Sequence, residues 1–315
     1  MEIFGNAVFT GLLGRLIPLY LIVALGFVAG RFLKLDRDSV AKLVIYLVSP
    51  IVVFVSVSQI DLKPEYLLVP LGFGLLSSGV AGLFLWLSHR MPERFGFGGP
   101  TGNLLAFAAG DANTGYFGLP VALMLFGADA IGIYLLFSLG FILYENTVGF
   151  YILARGKANA RDALRRVLRL PAIYAFAAAL LANRLGLKIT GTYADFAGYF
   201  RGTYSVLGVM LIGLGVAGIR TWRFDWKFVS AAFLGKFFVW PVLIAGLIAG
   251  DRSVGHFYDE RAHQMFFLIA CTPLAANTVA FATLLEIEPA KAGVAVLLST
   301  LFALFFIPAM AGWLL

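Results

Sequence analysis

The apolar positions of this chain come in long runs, without the alternation of a strand or the one-sided period of a surface helix. Ten such runs lie at about 9–32, 40–58, 66–88, 101–127, 130–154, 171–186, 199–219, 228–249, 264–285 and 291–314. Each is near the roughly 20 residues that an α-helix needs to cross a hydrocarbon core. The polar links between them are short. The pattern therefore predicts an all-α polytopic membrane protein, a single membrane domain over 1–315 with no soluble module. A link at 155–170 divides it into 1–155, with helices 1–5, and 170–315, with helices 6–10.

Two runs contain residues that an ordinary spanning helix avoids. In GDANTGYFGLPVALMLFG, Gly110–Gly127, Pro120 lacks a backbone donor and crowds the carbonyl of Tyr116, and Asp111, Asn113 and Thr114 bring polar atoms to bilayer depth. An unmatched polar group there costs several kcal/mol, so irregular backbone is tolerated only inside protein or along a cavity. The run IACTPLAANTVAFATLLE, Ile269–Glu286, repeats the pattern with Pro273, Asn277 and Thr278. A proline kink is the alternative for either run alone. Interrupted helices in matching halves point instead to the binding site of a secondary transporter.

Composition agrees with a life in lipid. The chain has 315 residues, 61% hydrophobic and 13% charged, against about 25% charged in a soluble protein. Its net charge of +7 sits between apolar runs and reflects topology, not a nucleic-acid partner. Cys271 is the one cysteine, which excludes an intrachain disulfide and argues against a Cys-based metal site. His89, His256 and His263 lack metal-ligand spacing, so neither metal nor cofactor is expected. The start, Met1-Glu2, has no basic region of a cleavable signal, so helix 1 is expected to be retained. Trp86, Trp222, Trp226 and Trp313 fall near the ends of runs, as interface anchors do.

Lysine and arginine set the orientation. The loops after odd-numbered helices carry sixteen, six of them between Arg155 and Arg169; the other side carries seven, Arg15, Lys63, Arg184, Lys188, Arg201, Arg252 and Arg261. The excess predicts a plasma (inner) membrane protein with cytoplasmic odd-helix loops and both termini extracytoplasmic. A weak repeat pairs Gly132, Leu136 and Ser138 with Gly293, Leu297 and Ser299, and Pro18 and Arg31 with Pro171 and Arg184. Five helices per half makes the second half inverted, an arrangement that supports alternating access.

The run NTGYFGLP at Asn113–Pro120, followed by Phe126-Gly127, resembles helix 4 of the auxin efflux carrier family. The run CTPLAANTVAFATLLEIEPAKAGVAVLLST, from Cys271, is similar to that family's helices 9 and 10, and GKFFVWPVL and YLVSPIVVF fit helices 8 and 2. The resemblance implies ten transmembrane helices in two inverted five-helix repeats, with broken helices 4 and 9 crossing, as in a bile-acid-symporter or NhaA-like fold. It implies a scaffold of helices 1, 2, 6 and 7, an elevator-type mechanism and a homodimer. The short 155–170 link resembles the bacterial members, without the long cytoplasmic insertion of plant PIN-type exporters. Asp111-Ala112 stands where PIN-type proteins have a proline, which brings a carboxylate beside the break.

A broken helix offers N–H groups and positive dipole to an anion at one end, and carbonyls to a cation at the other. The expected substrate-binding residues are Asn113, Thr114, Gly115, Pro120, Thr272, Pro273, Asn277 and Thr278. Repair of the broken backbone is their alternative role. Asp111, Glu145 with Asn146, and Lys236 are the coupling or charge-pair candidates, since ionisable residues inside membrane helices face a cavity or a partner. Gly26 and Gly30 in helix 1, and Gly208, Gly215 and Gly218 in helix 7, suggest close helix packing.

The expected function is thus a non-enzymatic secondary active transporter moving a small organic anion, such as a carboxylate or auxin-like acid, through the lipid bilayer. A sodium- or proton-coupled symporter of the bile-acid type is the alternative within transport. A retinal-type photoreceptor using Lys236 is the alternative of another class, and needs seven helices and no crossing. A membrane protease has no HExxH or GxSxG to stand on.

Overall fold

Proline decides much of how these helices are built. The computed structural model describes residues 17–18, 20–59, 68–91, 96–126, 131–217 and 225–314, and these are all helix, turn or loop. Three wide π-helical turns, Val44–Val48, Thr114–Gly118 and Gly235–Val239, each sit just ahead of a proline: Pro50, Pro120 and Pro241. The residue that closes each turn, Ser49, Leu119 or Trp240, bonds to the carbonyl five positions back. Widening the helix there lets the chain pass a residue that cannot donate and whose ring crowds the carbonyl four back. A fourth wide turn, Glu145–Gly149, has no proline. There the side chains of Asn146 and Thr147 bond to the carbonyls of Ile142 and Leu143, at 2.9 and 2.5 Å, and compete with the helix's own ladder.

In chain order the helices are α1 (Tyr20–Arg31), α2 (Arg37–Ser58), α3 (Val69–Arg90), α4 (Pro100–Gly110), α5 (114–126) and α6 (131–155). After the short α7 (Ala160–Val167) come α8 (Pro171–Arg184), α9 (Thr192–Ala217), α10 (Trp226–Gly255), α11 (Glu260–Cys271), α12 (Asn277–Leu284) and α13 (Pro289–Leu314). Among the described residues six helices are long and apolar enough to cross a membrane.

Several ends differ from the sequence expectation. The run at 264–285 is two helices, and the first begins at Glu260 because Asp259 caps it, accepting from the Ala262 N–H at 2.8 Å. The run at 101–127 is also two helices, and the break lies at 111–113, upstream of Pro120. Helix α9 begins at Thr192, seven positions before the apolar run at 199, after Gly191 turns the chain at φ 57°. Arg201 therefore lies nine positions after Thr192, inside the helix rather than at its very start. The residues Arg15, Lys63, Arg94, Gly127, Gly218, Arg220, Trp222 and Arg223, and the side chains of Pro120, Gly132 and Trp313, lie outside the described residues.

Packing follows side-chain size. A methyl group on Gly26 would run into the Met210 carbonyl, and one on Gly213 into that of Val23, so α1 and α9 meet backbone to backbone. Helix α8 packs along the second half of α2, α3 against α4 and α6, and α9 and α12 against α13. Leu21, Leu75, Phe238, Leu247 and Phe305 stay exposed, as side chains facing lipid do. At one end Lys157 pairs with Glu286 at 3.8 Å, joining the turns after α6 and α12, and Lys291 with Asp225 at 3.1 Å, joining the start of α13 to the start of α10.

Candidate functional site

Each break is built by polar side chains that take over lost helix bonds. Helix α4 stops at Gly110, and Asp111 leaves it in extended conformation, its Oδ1 accepting from the Ala112 N–H at 2.8 Å. Asn113 then caps the next turn, its Oδ1 accepting from the N–H groups of Tyr116 and Phe117, both at 3.2 Å. The Thr114 carbonyl accepts from the Tyr134 hydroxyl at 2.8 Å. At the second break α11 stops at Cys271, the Thr272 hydroxyl donates to Ile269 at 2.7 Å, and Ser299 of α13 accepts from the Leu274 N–H at 3.2 Å. The two breaks touch: the Asn113 N–H donates to the Pro273 carbonyl at 2.9 Å.

A cavity of about 470 Å³ opens beside this contact. Both breaks line it, through Asn113, Thr114 and Gly115 on one and Ala275 and Asn277 on the other. Helix α2 contributes Ser56 and Gln59, α6 contributes Ser138, Phe141 and Glu145, and α9 contributes Arg201 and Tyr204. Arg201 makes no hydrogen bond or ion pair with any described residue. The Nδ2 of Asn113 is likewise without a partner among them, while its oxygen is committed to the cap. Gly115 presents bare backbone, with nothing within 4 Å of where a Cβ would be.

The amide of Asn277, expected to donate to a substrate carboxylate, instead holds one that belongs to the protein. Its Nδ2 donates to both oxygens of Glu145, at 3.1 and 2.9 Å, and its Oδ1 accepts from the Tyr204 hydroxyl at 3.1 Å. Asn146 adds a bond to Glu145 at 3.3 Å. The Tyr116 ring lies tilted against that of Tyr204, centroids 5.3 Å apart, and its hydroxyl donates to the Tyr204 carbonyl at 3.1 Å. These bonds connect α5, α6, α9 and α12 around one carboxylate.

Asp111 and Lys236 lie off the cavity wall, both with 0% of their surface exposed. Among the described residues Asp111 Oδ2 and the Lys236 ammonium have no hydrogen-bond partner, yet each feels the other's charge. The ammonium sits over the rings of Trp240, at 5.1 Å, and Phe141, at 5.8 Å. Two carbonyls at the end of α4, expected to face a cation, are taken: Trp240 Nε1 donates to Ala109 at 2.7 Å and the Tyr144 hydroxyl to Phe107 at 3.1 Å. Among the described residues no three His, Cys, Asp or Glu gather closely enough to hold a metal.

Of the expected binding residues, Asn113, Thr114, Gly115 and Asn277 come together on the cavity. Thr272 and Thr278 are buried away from it, and Pro273 takes part through its carbonyl. Pro120 is the second residue of the helical segment Leu119–Phe126. Arg201, Tyr204 and Ser205 were not among the expected residues. Their signal was present in FRGTYS, where spacings of three and four put them on one helix face.

No protein-family model matches the chain. It is similar to a protein of Methanothermobacter thermautotrophicus described as an uncharacterized transporter, 25% identical over 251 residues, which cover 76% of this chain and 79% of that one. A transporter is thus among its relatives. Together with its spanning helices, this makes the chain a multi-pass membrane protein.

Proposed function

We propose that this chain is a secondary carrier for a small organic anion, built on the auxin efflux carrier plan. One observation carries the reading: two broken stretches from opposite halves of the chain touch at Asn113 and Pro273 and line one cavity with a guanidinium, Arg201, that has no partner among the described residues. In this reading α4 with α5 is the fourth spanning unit and α11 with α12 the ninth, so ten units form two inverted repeats. Arg201 and the free amide of Asn113 take the carboxylate, and Leu135, Leu139 and Ile142 face its apolar body. Both donors are charged or unpaired, so binding satisfies them without breaking an existing bond.

Helices α1, α2, α8 and α9 act as the fixed scaffold of a homodimer, and the remaining units carry Asn113, Glu145 and Asn277 with the anion across as an elevator, away from Arg201 on the fixed α9. Gln59 and Arg201 lie on the cavity wall near the end of α2 and the start of α9, and in this reading that end is its mouth. The charge count favours a mouth on the outside, on the side of both termini. Sodium coupling has less support, because Tyr144 and Trp240 already occupy the carbonyl end of α4. A chromophore on Lys236 has none from the cavity, whose wall does not include that residue.

The experiment is a binding screen of mono- and dicarboxylates, indole-3-acetate included, on purified protein, followed by uptake into proteoliposomes. Saturable binding that weakens in Arg201→Gln supports the reading. Binding of none of these acids, or binding indifferent to Arg201, rejects it.

A further inference from the structure

The cavity holds a carboxylate of its own, and an anion carrier has to deal with it. Glu145 is 7% exposed and lines the same wall as Arg201 and Asn113. Ionised, it cancels the guanidinium, so the wall offers an incoming anion no net positive charge. Protonated, it leaves Arg201 uncompensated and makes the cavity cationic. Linkage is reciprocal: an anion that binds more tightly to the protonated wall raises the protein's affinity for that proton by the same factor.

The surrounding bonds give this charge change a mechanical consequence. Asn277 spends its Nδ2 on the two Glu145 oxygens, and the same nitrogen lies 2.9 Å from the Tyr204 hydroxyl on α9. Charge-assisted bonds are about twice as strong as neutral ones, so ionised Glu145 holds that amide and protonated Glu145 holds it weakly. The other groups around Glu145 are compatible with this role. Asp111 at the first break and Tyr116 on α5 feel its charge, Tyr204 and Arg201 reach it or its cavity from α9, and Lys236 of α10 faces Asp111. Helices α3 and α8 also pack on its turn, but their His89, Arg90, Tyr174 and Arg184 are exposed near helix ends, and α4 has no titratable side chain.

We propose that Glu145 is a proton site that must be filled for an anion to occupy the cavity, and that Asn277 transfers its amide from Glu145 to that anion. This rests on the organic-anion reading above. The step is a plain protonation. A proton from the aqueous side forms an O–H bond on one Glu145 oxygen, no covalent bond breaks, and the proton leaves when the anion does. One proton moves with each anion, so transport of a monoanion is electrically silent.

The test uses purified full-length protein, with indole-3-acetate and benzoate as probes, over about pH 5.5 to 8, where both acids stay ionised. Wild-type affinity should fall about tenfold per pH unit toward the alkaline limit, the slope of one linked proton. In Glu145→Gln the slope should vanish and the wild-type acid-side affinity should persist at pH 8, while Glu145→Asp retains the slope. Infrared difference spectra without any anion form the second arm. A protonated-carboxyl band that titrates in the wild type should disappear in Glu145→Gln. If the probes bind and Glu145→Gln keeps the wild-type slope, or the band survives, this proposal falls and the anion carrier stands. If no carboxylate binds at any pH, both fall.

Discussion

The backbone N–H of Asn113 donates to the carbonyl of Pro273 at 2.9 Å, so the two interrupted helices each supply what the other has lost. Breaking a helix in a bilayer leaves donors and acceptors that water cannot reach, at several kcal/mol each. Meeting at their breaks solves that problem for both, and leaves beside the contact a polar patch that lipid never touches.

Asn113 has two roles that substitution can separate. Serine retains the cap on Tyr116 and Phe117 but loses the free amide, whereas alanine loses both. Asn113→Ser should weaken carboxylate binding about 10- to 150-fold at unchanged melting temperature, the value of one hydrogen bond to a charged group. Asn113→Ala should add a stability loss of about 0.5–2 kcal/mol. Wild-type affinity in the serine variant, measured by titration calorimetry, would restrict Asn113 to backbone repair. Asn103→Ala should lower stability without touching the cavity, because Asn103 Nδ2 donates to the Ile152 carbonyl at 2.6 Å in a buried setting.

Arg201 is expected to act through charge and fork geometry together. Arg201→Gln should weaken binding of a carboxylate by about 10- to 150-fold, and Arg201→Lys by less, because a point charge replaces a bidentate donor. Arg201 is exposed and has no partner among the described residues, so neither variant should lower the melting temperature. Equal affinities in all three proteins would remove Arg201 from the site.

Lys236 and Asp111 should behave as an internal charge pair. Removing one buried charge and leaving the other costs about 3–5 kcal/mol, whereas replacing both with neutral groups is often close to neutral. Lys236→Met alone should therefore lower thermal stability in detergent strongly, and Lys236→Met with Asp111→Asn should recover most of it. Additive losses in the double variant would show that the two charges do not compensate each other.

Topology is open to a labelling experiment. Single cysteines at Ala158 and at Ser253, in a background where Cys271 is alanine, should react with an impermeant maleimide from opposite sides of the membrane. Ala158 lies in the basic turn joined to α12–α13 by the Lys157–Glu286 pair, and Ser253 at the far end of α10. Labelling from one side only would end the ten-unit inverted arrangement.

Apolar run length alone fixed that this chain lives in a membrane, because a bilayer imposes one length on every helix that crosses it. The two broken stretches were equally legible, since Asp111, Asn113 and Pro273 have no local reason to sit in such runs. Where the first break falls was not. Pro120 drew attention, yet a wide turn at Thr114–Gly118 absorbs it, and the chain opens instead at Asp111, where side chains of other helices stand ready to take the freed groups. Tertiary structure alone decided which polar groups meet. It gave the Asn277 amide to Glu145 rather than leaving it open, hid Lys236 from the cavity, and turned Arg201, counted from the sequence only as a topology charge, onto the cavity wall. Spacing along a helix tells which residues share a face, but which face looks at which neighbour is settled only when all the helices pack together.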